Sequence, residues 1–183
     1  MSRPSTTDLA VLGALSVQPM SGYAVRAAIT GTLGHFWSES FGQIYPALAR
    51  LEAEGLVRRD GEGRTSGSTY RLTAAGRRRL VVLLREPVPT APPRNGELLR
   101  LFFGGLLGQD ECLAILADAR DRAEQQLRTL EAIRDEVEAE TADDPDARYR
   151  LLTVLAGLHA ARAQIAWVEE SRALLERPAP HPA

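Results

Sequence analysis

Apolar residues recur at helical spacing in the first third of the chain. Between Ser40 and Glu52, the residues Ile44, Leu48 and Leu51 occupy positions i, i+4 and i+7, so they share one face of a helix. A helix with such a face stabilises a protein by burying it. We therefore expect these three side chains to lie in a core.

The opposite face of the predicted helix carries small and polar residues. At about 100° per residue it comprises Gly42, Pro46, Ala49 and Ala53, flanked by Gln43 and Arg50 on one side and by Tyr45 on the other. Gln and Arg side chains can form paired hydrogen bonds with adenine and guanine edges, and Tyr can donate to a phosphate. For this segment alone, an ordinary amphipathic helix with a solvated outer face is an equally good interpretation.

Pro46 bears on where this helix begins. Proline fits without disruption only in a first helical turn, because it lacks the backbone N–H that later turns donate. The helix is therefore predicted to start near Gly42 or Gln43, with Ser40 as its cap. Its free N-terminal amides would favour a phosphate.

Two short strand-like runs follow the helix, Leu56–Arg59 and Ser68–Leu72, joined by a polar segment rich in glycine. This pattern predicts a two-stranded hairpin with a long tip. Arg64 on the tip and Ser68 beside it are suited to contact with a phosphate or the minor groove, and a solvated loop is the alternative.

In this order the elements form a helix, a turn, a recognition helix and a two-stranded wing, and their sequence resembles the PadR family of transcriptional regulators. The resemblance covers roughly residues 8–85 with the family's spacing. It rests on Gly13-Ala14-Leu15, Ser21-Gly22-Tyr23, Phe36-Trp37-Ser38, the run from Gln43 to Glu52, Glu54-Gly55-Leu56-Val57 and the run from Tyr70 to Arg77.

The resemblance implies a winged helix domain that binds double-stranded DNA, a helical C-terminal domain that dimerises, and repression relieved by a small molecule. Ser68 and Thr69 stand where many relatives have a basic pair, so the sequence departs from the family at the wing. The DNA-facing positions it implies are Ser38, Ser40, Gln43, Tyr45, Arg50, Arg64 and Ser68.

The charge is divided between the two halves of the chain. Residues 1–85 contain 11 Arg and 6 acidic residues, a net charge of +5, whereas residues 86–183 contain 11 Arg and 18 acidic residues, a net charge of −7. A basic front half suits phosphate neutralisation, and an acidic rear half does not. The single cysteine excludes an intrachain disulfide, and we expect a cytoplasmic protein with no membrane partner.

Proline and glycine set the predicted domain boundaries. The Pro-rich segment 87–94 is an extended linker between a winged helix domain (1–86) and a helical dimerisation domain (95–176), and the Pro-rich residues 177–183 are a disordered tail. The fold class is mainly α with a small two-stranded β wing, followed by a coiled-coil-like helical domain.

The rear domain is predicted to contain an apolar helix and two long antiparallel helices. In the apolar helix, 95–107, hydrophobic residues face several directions, so we expect burial on several sides. The next helix has an apolar seam with alternating steps of three and four residues, which Arg120 and Arg134 interrupt. These arginines indicate either a short packing partner or acidic residues that face them. The last helix presents Leu151, Leu155, Leu158 and Ile165 along one side. Since one hairpin cannot bury all this apolar surface, a homodimer is expected.

The sequence offers little for other chemistry. The three histidines and the cysteine lack metal-ligand spacing, and no nucleophile elbow or phosphate-binding loop is found. We expect no enzymatic activity, no metal and no cofactor. His159 and Trp167 lie eight residues apart on similar sides of the last helix and, with Trp37, are candidates for an effector pocket, although packing in a core or at an interface is the favoured explanation, because large apolar residues at helical spacing usually belong to a core.

Three functions remain compatible with these patterns. The first is a dimeric repressor on an inverted-repeat operator, whose two recognition helices read half-sites about one helical turn apart. The second is a small-molecule sensor in which the ligand matters more than the DNA. The third is a winged helix used only for protein interaction, which would need a neutral or acidic recognition surface. The residues Gln43, Arg50 and Arg64 disfavour the third.

Overall fold

The computed structural model of the protein describes residues 6–31, 33–37, 41–61, 68–88, 95–140 and 144–177. The chain forms two compact units, residues 1–90 and residues 91–183. Most of the expected linker (87–94) and of the expected tail (177–183) lies outside the described residues.

The front unit contains four helices and three strands among its described residues, and the helix ends follow local sequence signals. The elements are α1 (Thr6–Val17), β1 (Met20–Ser21), α2 (Gly22–Thr30), α3 (Phe41–Ala53), β2 (Val57–Asp60), β3 (Thr69–Leu72) and α4 (Ala74–Arg85). Ser21 caps α2 by accepting a hydrogen bond from the Ala24 amide (3.1 Å), and Thr73 caps α4 by accepting one from the Gly76 amide (3.0 Å). Gly55, at φ 69°, ends α3 as expected.

The sheet has three strands, so the expectation of a two-stranded wing was incomplete. The strand order is β1-β3-β2, with both pairs antiparallel, and Met20 lies opposite Tyr70. β1 is only two residues long, and a run this short gives no alternation for sequence reasoning to detect. Its pairing places β3 in the centre of the sheet.

The core of the front unit is assembled from the inner faces of the helices and from β2. Ile44, Leu48 and Leu51 of α3 are each at most 1% exposed, which confirms the predicted core face. They pack with α1 and α2, whose largest buried side chains are Leu12, Val11, Val25 and Ile29.

The rear unit consists of a short helix followed by a long helical hairpin. α5 (Gly96–Phe102) leads through a 3-10 turn at Gly104–Leu106 into α6 (Gln109–Glu140) and α7 (Ala147–Leu175). The α6 range confirms the predicted end at Glu140. The expectation that the 95–107 segment would be buried on several sides was wrong for the single chain. Phe102 is 81% exposed and Leu106 90%.

α6 and α7 pack along a seam of apolar residues. The predicted seam of α6 is confirmed, since Leu116, Ala123, Leu130 and Val137 are buried and its other members are half-buried. On α7 the prediction was right in part. Leu158 is buried as expected and Leu151 and Ile165 are half-buried, but Leu155 is 42% exposed. The buried side is rotated from the predicted one and comprises Ala147, Val154, Leu158, Ala161 and Val168.

The two arginines that interrupt the seam have acidic partners, one of the two expected alternatives. Arg120 Nε donates to Glu124 at 2.7 Å and its Nη2 lies 3.8 Å from Glu169 of α7. Arg134 pairs with its neighbour Asp135 at 2.7 Å. These half-exposed pairs keep the guanidinium groups at the rim of the seam, where each charge remains partly solvated.

α7 is more apolar than a soluble surface helix usually is. An 18-residue window within it has a mean hydropathy of 1.3, and only 22% of that window is buried in the single chain. By length and composition alone, such a helix could cross a membrane, and the core helix of a soluble protein passes the same test. Much of its apolar surface is therefore left uncovered by α6.

Gly76 allows α4 to lie against the end of β2. A Cβ atom at this position would be 2.0 Å from the backbone oxygen of Leu56, whereas a Cβ at Gly13 of α1 would meet nothing within 4 Å. We expect Gly76→Ala to destabilise the front unit by at least about 1–3 kcal/mol, because backbone must move to admit the methyl group. Gly13→Ala should stabilise it by about 0.5–1 kcal/mol through its helix propensity.

Urea unfolding followed by tryptophan fluorescence measures both effects. The chain has two tryptophans, so a Trp167→Phe background leaves Trp37 as a reporter of the front unit alone. Equal midpoints for Gly76→Ala and Gly13→Ala would contradict the packing of α4 described above.

Candidate nucleic-acid interface

The outer face of α3 presents polar side chains to solvent on a helix whose inner face is fixed. Gln43 and Arg50 are exposed and Tyr45 is 49% exposed, while Ile44 and Leu48 beneath them are buried. A helix held in this way can offer its outer side chains to a nucleic-acid groove without first becoming ordered.

Pro46 lies deeper in this helix than the sequence predicted. Because α3 begins at Phe41, the proline is its sixth residue and falls in the second turn. The Gly42 carbonyl therefore receives no hydrogen bond from residue 46. Burial of Ile44, Leu48 and Leu51 on the inner face offsets the lost hydrogen bond. Helix propensity is a local property and does not include this contribution.

Tyr45 is positioned by the start of α2. Its ring lies so close to Gly22 that a Cβ there would be 2.9 Å from Tyr45 Cε1. Gly22 is buried and half of the tyrosine remains exposed. The absence of a side chain at residue 22 thus lets α2 and α3 approach closely and directs the exposed half of the ring to the outer surface.

Two residues of α1 bind the polar side chains of α3. Thr7 Oγ1 donates to Gln43 Oε1 at 3.2 Å, and the Asp8 carboxylate forms an ion pair with the Arg50 guanidinium. Neither Thr7 nor Asp8 was predicted from the sequence to contact α3. They lie 36 and 42 residues from their partners, and no local periodicity connects positions so far apart.

The remaining predicted DNA-facing residues do not all reach this surface. Ser38, Ser40 and Arg64 lie outside the described residues. Ser68 is only 8% exposed, which contradicts its expected role as an exposed wing contact. Ser68 directly precedes β3, which is the central strand of the sheet.

The wing strands carry two arginines, Arg58 and Arg71, that share one acidic partner. Arg58 and Arg71 are directly opposite each other in the β2–β3 register, an arrangement that would be repulsive alone. Asp60 accepts hydrogen bonds from Arg71 Nε (3.0 Å) and Arg58 Nε (2.9 Å). These bonds from Arg71 and Arg58 hold the pKa of the half-exposed Asp60 carboxyl below its usual value. Asp60 thus links the two strands of the wing.

The three candidate effector residues lie in different surroundings. Trp37 packs on the front core, and its buried indole N–H has no hydrogen-bond partner among the described residues. Trp167 lines an open apolar groove of about 570 Å³ in the rear unit, with Leu101, Phe102 and Leu175. His159 is exposed and does not line the groove.

Other chemistry finds little support in the described part of the chain. No group of three or more His, Cys, Asp or Glu side chains lies close enough there to hold a metal ion. Cys112 is buried beside Gly104, with its thiol 3.6 Å from the Gly104 carbonyl oxygen. This position agrees with a packed cysteine.

Comparison with known proteins gives matches to both units. Residues 11–81 match the family model described as "Transcriptional regulator PadR-like family", and residues 93–176 match "Virulence activator alpha C-term". The chain is 26% identical over 177 residues to "Negative transcriptional regulator PadR" of Bacillus subtilis, covering 92% of this chain and 96% of that protein. It is also 26% identical to a probable transcriptional regulator of Mycobacterium tuberculosis, with 92% and 97% covered.

Solved structures show the same fold. The Bacillus subtilis PadR in complex with operator DNA superposes with a TM-score of 0.78 at 24% identity, covering 94% of this chain and all of that one. A PadR-like regulator from Bacillus cereus gives a TM-score of 0.77 at 24% identity, with 93% and 98% covered. With the two family matches and the curated relatives that align over nearly their full length, the chain belongs to the PadR-like family of transcriptional regulators.

Proposed function

We propose that this regulator represses transcription by binding an inverted-repeat operator as a homodimer. The observation that carries the proposal is the outer face of α3, where Gln43, Tyr45 and Arg50 are exposed above a buried inner face. Gln and Arg are the side chains best suited to adenine and guanine edges. The net charge of +5 on residues 1–85 adds attraction to the phosphate backbone.

The proposed dimer would form through the rear unit. Apolar side chains remain exposed on α5 and on α7, a pattern that usually marks an interaction surface. Leu99 is 62% exposed, Phe102 81% and Leu152 64%. A second copy would cover this surface and would place two α3 helices on one duplex, as an inverted repeat requires. The apolar surface of α7 would then be an interface, which supports a soluble cytoplasmic protein.

A small-molecule effector is the second candidate role. The groove beside Trp167 offers an apolar lining with Gln109 and Ser171 as polar groups, a composition common in ligand sites. Another family structure is described as Bacillus subtilis PadR in complex with p-coumaric acid. We propose that an aromatic compound bound to the rear unit would change the spacing of the two α3 helices. A shift in melting temperature without DNA would support a sensor.

A purely protein-binding winged helix is the weakest of the three functions. Such a module would need a neutral or acidic surface on α3, and the exposed Arg50 on that surface is basic. We also propose that the protein is not an enzyme and needs no cofactor. Among the described residues, those around α3 supply hydrogen-bonding groups and form no arrangement of nucleophile and base.

We expect Arg50→Ala to weaken specific DNA binding by about 1–3 kcal/mol, because the guanidinium would no longer contact a base edge. The duplex for the measurement is first enriched from random DNA with the wild-type protein. Fluorescence anisotropy then gives affinities for this duplex and for a scrambled one. Arg77→Ala on the exposed face of α4 is the matched control, and equal losses for both variants would contradict base reading by Arg50.

We expect the wild-type protein to sediment as a dimer at micromolar concentration. In a Phe102→Glu, Leu152→Glu double variant, the dissociation constant of the dimer should rise at least about tenfold, because each carboxylate would be desolvated in the interface. Val82→Glu is the control, since Val82 is also exposed, at 49%, but lies on the front unit. A monomeric wild-type protein in sedimentation velocity would refute the dimer.

A further inference from the structure

The beginning of α1 is bonded to both of the α3 side chains that have base-reading chemistry. Thr7 donates its hydroxyl proton to Gln43 Oε1 at 3.2 Å, and Asp8 forms an ion pair with Arg50. Gln43 and Arg50 are seven residues apart and so lie on the same side of α3, almost two turns from each other. One turn of α1 therefore restrains two separate points of the proposed reading surface.

The Thr7 contact sets the orientation of the Gln43 amide. Thr7 is 2% exposed, so its hydroxyl has a fixed position. Because this hydroxyl donates to the amide oxygen, the amide nitrogen with its two protons is turned to the other side. A bidentate contact with adenine needs one donor and one acceptor in a known order, and in this arrangement the Thr7 contact sets the side on which the amide oxygen lies.

The Asp8 contact changes what Arg50 can bind. The Asp8 side chain is 17% exposed and that of Arg50 is 45% exposed, so the carboxylate is the better buried partner and stays in place. The ion pair occupies one guanidinium nitrogen and compensates its charge, while the other donors remain accessible. A compensated guanidinium gains less from a bare phosphate than a free one does, yet it can still donate to a base.

We propose that Thr7 and Asp8 are positioning residues that set the DNA specificity of α3. They orient Gln43 and Arg50 toward base edges and withhold the charge of Arg50 from non-specific attraction to the phosphate backbone. This inference rests on the proposed operator-binding function and deepens it. It assigns a part of the recognition to α1, whose Thr7 and Asp8 act through the α3 side chains that they contact.

A purely structural role would have a different signature. Asp8 lies in the first turn of α1, where an acidic residue stabilises a helix through its dipole, and Thr7 fills space in the core. Loss of either contribution would lower the melting temperature and would weaken binding to every duplex by the same factor. A positioning role instead changes the ratio between specific and non-specific affinities.

The test uses the full-length protein with Asp8→Asn and Thr7→Val, which preserve side-chain size. The probes are a duplex enriched from random DNA by the wild-type protein and a scrambled duplex of the same composition, each titrated across a salt series. Glu86→Gln is the matched control, because Glu86 pairs with Arg79 of the same unit at 4.0 Å. Like Asp8→Asn, the Glu86→Gln change removes one carboxylate and frees one arginine from its acidic partner.

We expect Asp8→Asn to lower the ratio of specific to non-specific affinity by about tenfold, which corresponds to about 1.4 kcal/mol. The affinity for the scrambled duplex should rise, and its salt dependence should steepen by about 0.9 in log–log slope, as one added phosphate contact predicts. Thr7→Val should lower the ratio without changing the slope. Glu86→Gln should change the ratio by much less than Asp8→Asn.

A double-mutant cycle checks that Asp8 acts through Arg50. In the Arg50→Ala background, Asp8→Asn should leave the ratio unchanged, because the group it restrains has been removed. An Asp8→Asn protein with the wild-type ratio, or an equal effect with and without Arg50, would overturn the positioning role. A wild-type protein that enriches no sequence would refute the operator-binding function itself, so the two failures can be told apart.

Discussion

Burial of one face of α3 against α1 and α2 is the constraint on which the front unit depends. Ile44, Leu48 and Leu51 are almost completely removed from solvent, and each such side chain contributes about 1.5–3 kcal/mol of hydrophobic stabilisation. Because of this burial, α3 remains helical despite a proline in its second turn. The burial also fixes which side of α3 is exposed. The direction of the polar side chains is thus a consequence of the core beneath them.

The same requirement for burial is only half satisfied in the rear unit. α6 and α7 form one continuous seam, and at Gly157 the lack of a side chain lets Leu130 come within 2.8 Å of where a Cβ would be. The seam covers one side of each helix. The apolar side chains of α5 and the outer side of α7 remain exposed, so the rear unit supplies surface for association while the front unit supplies polar contacts.

Charge in the front unit is less freely available than its composition indicates. The sequence gives this half a net charge of +5, yet Asp8 binds Arg50, Asp60 binds both Arg58 and Arg71, and Glu86 lies near Arg79. Each pair holds a guanidinium in a defined direction. The arginines of the front unit therefore act as oriented hydrogen-bond donors, in addition to attracting phosphate through their net charge.

The sequence by itself determined the long elements and their core faces, because helical periodicity is a local property. It predicted the buried face of α3, the seam and end of α6, and the family. Tertiary structure decided the third strand, the burial of Ser68, the buried side of α7 and the exposure of α5. It also decided that Thr7 and Asp8 contact Gln43 and Arg50. These features depend on residues far apart in the chain, whose proximity arises only when the helices pack together.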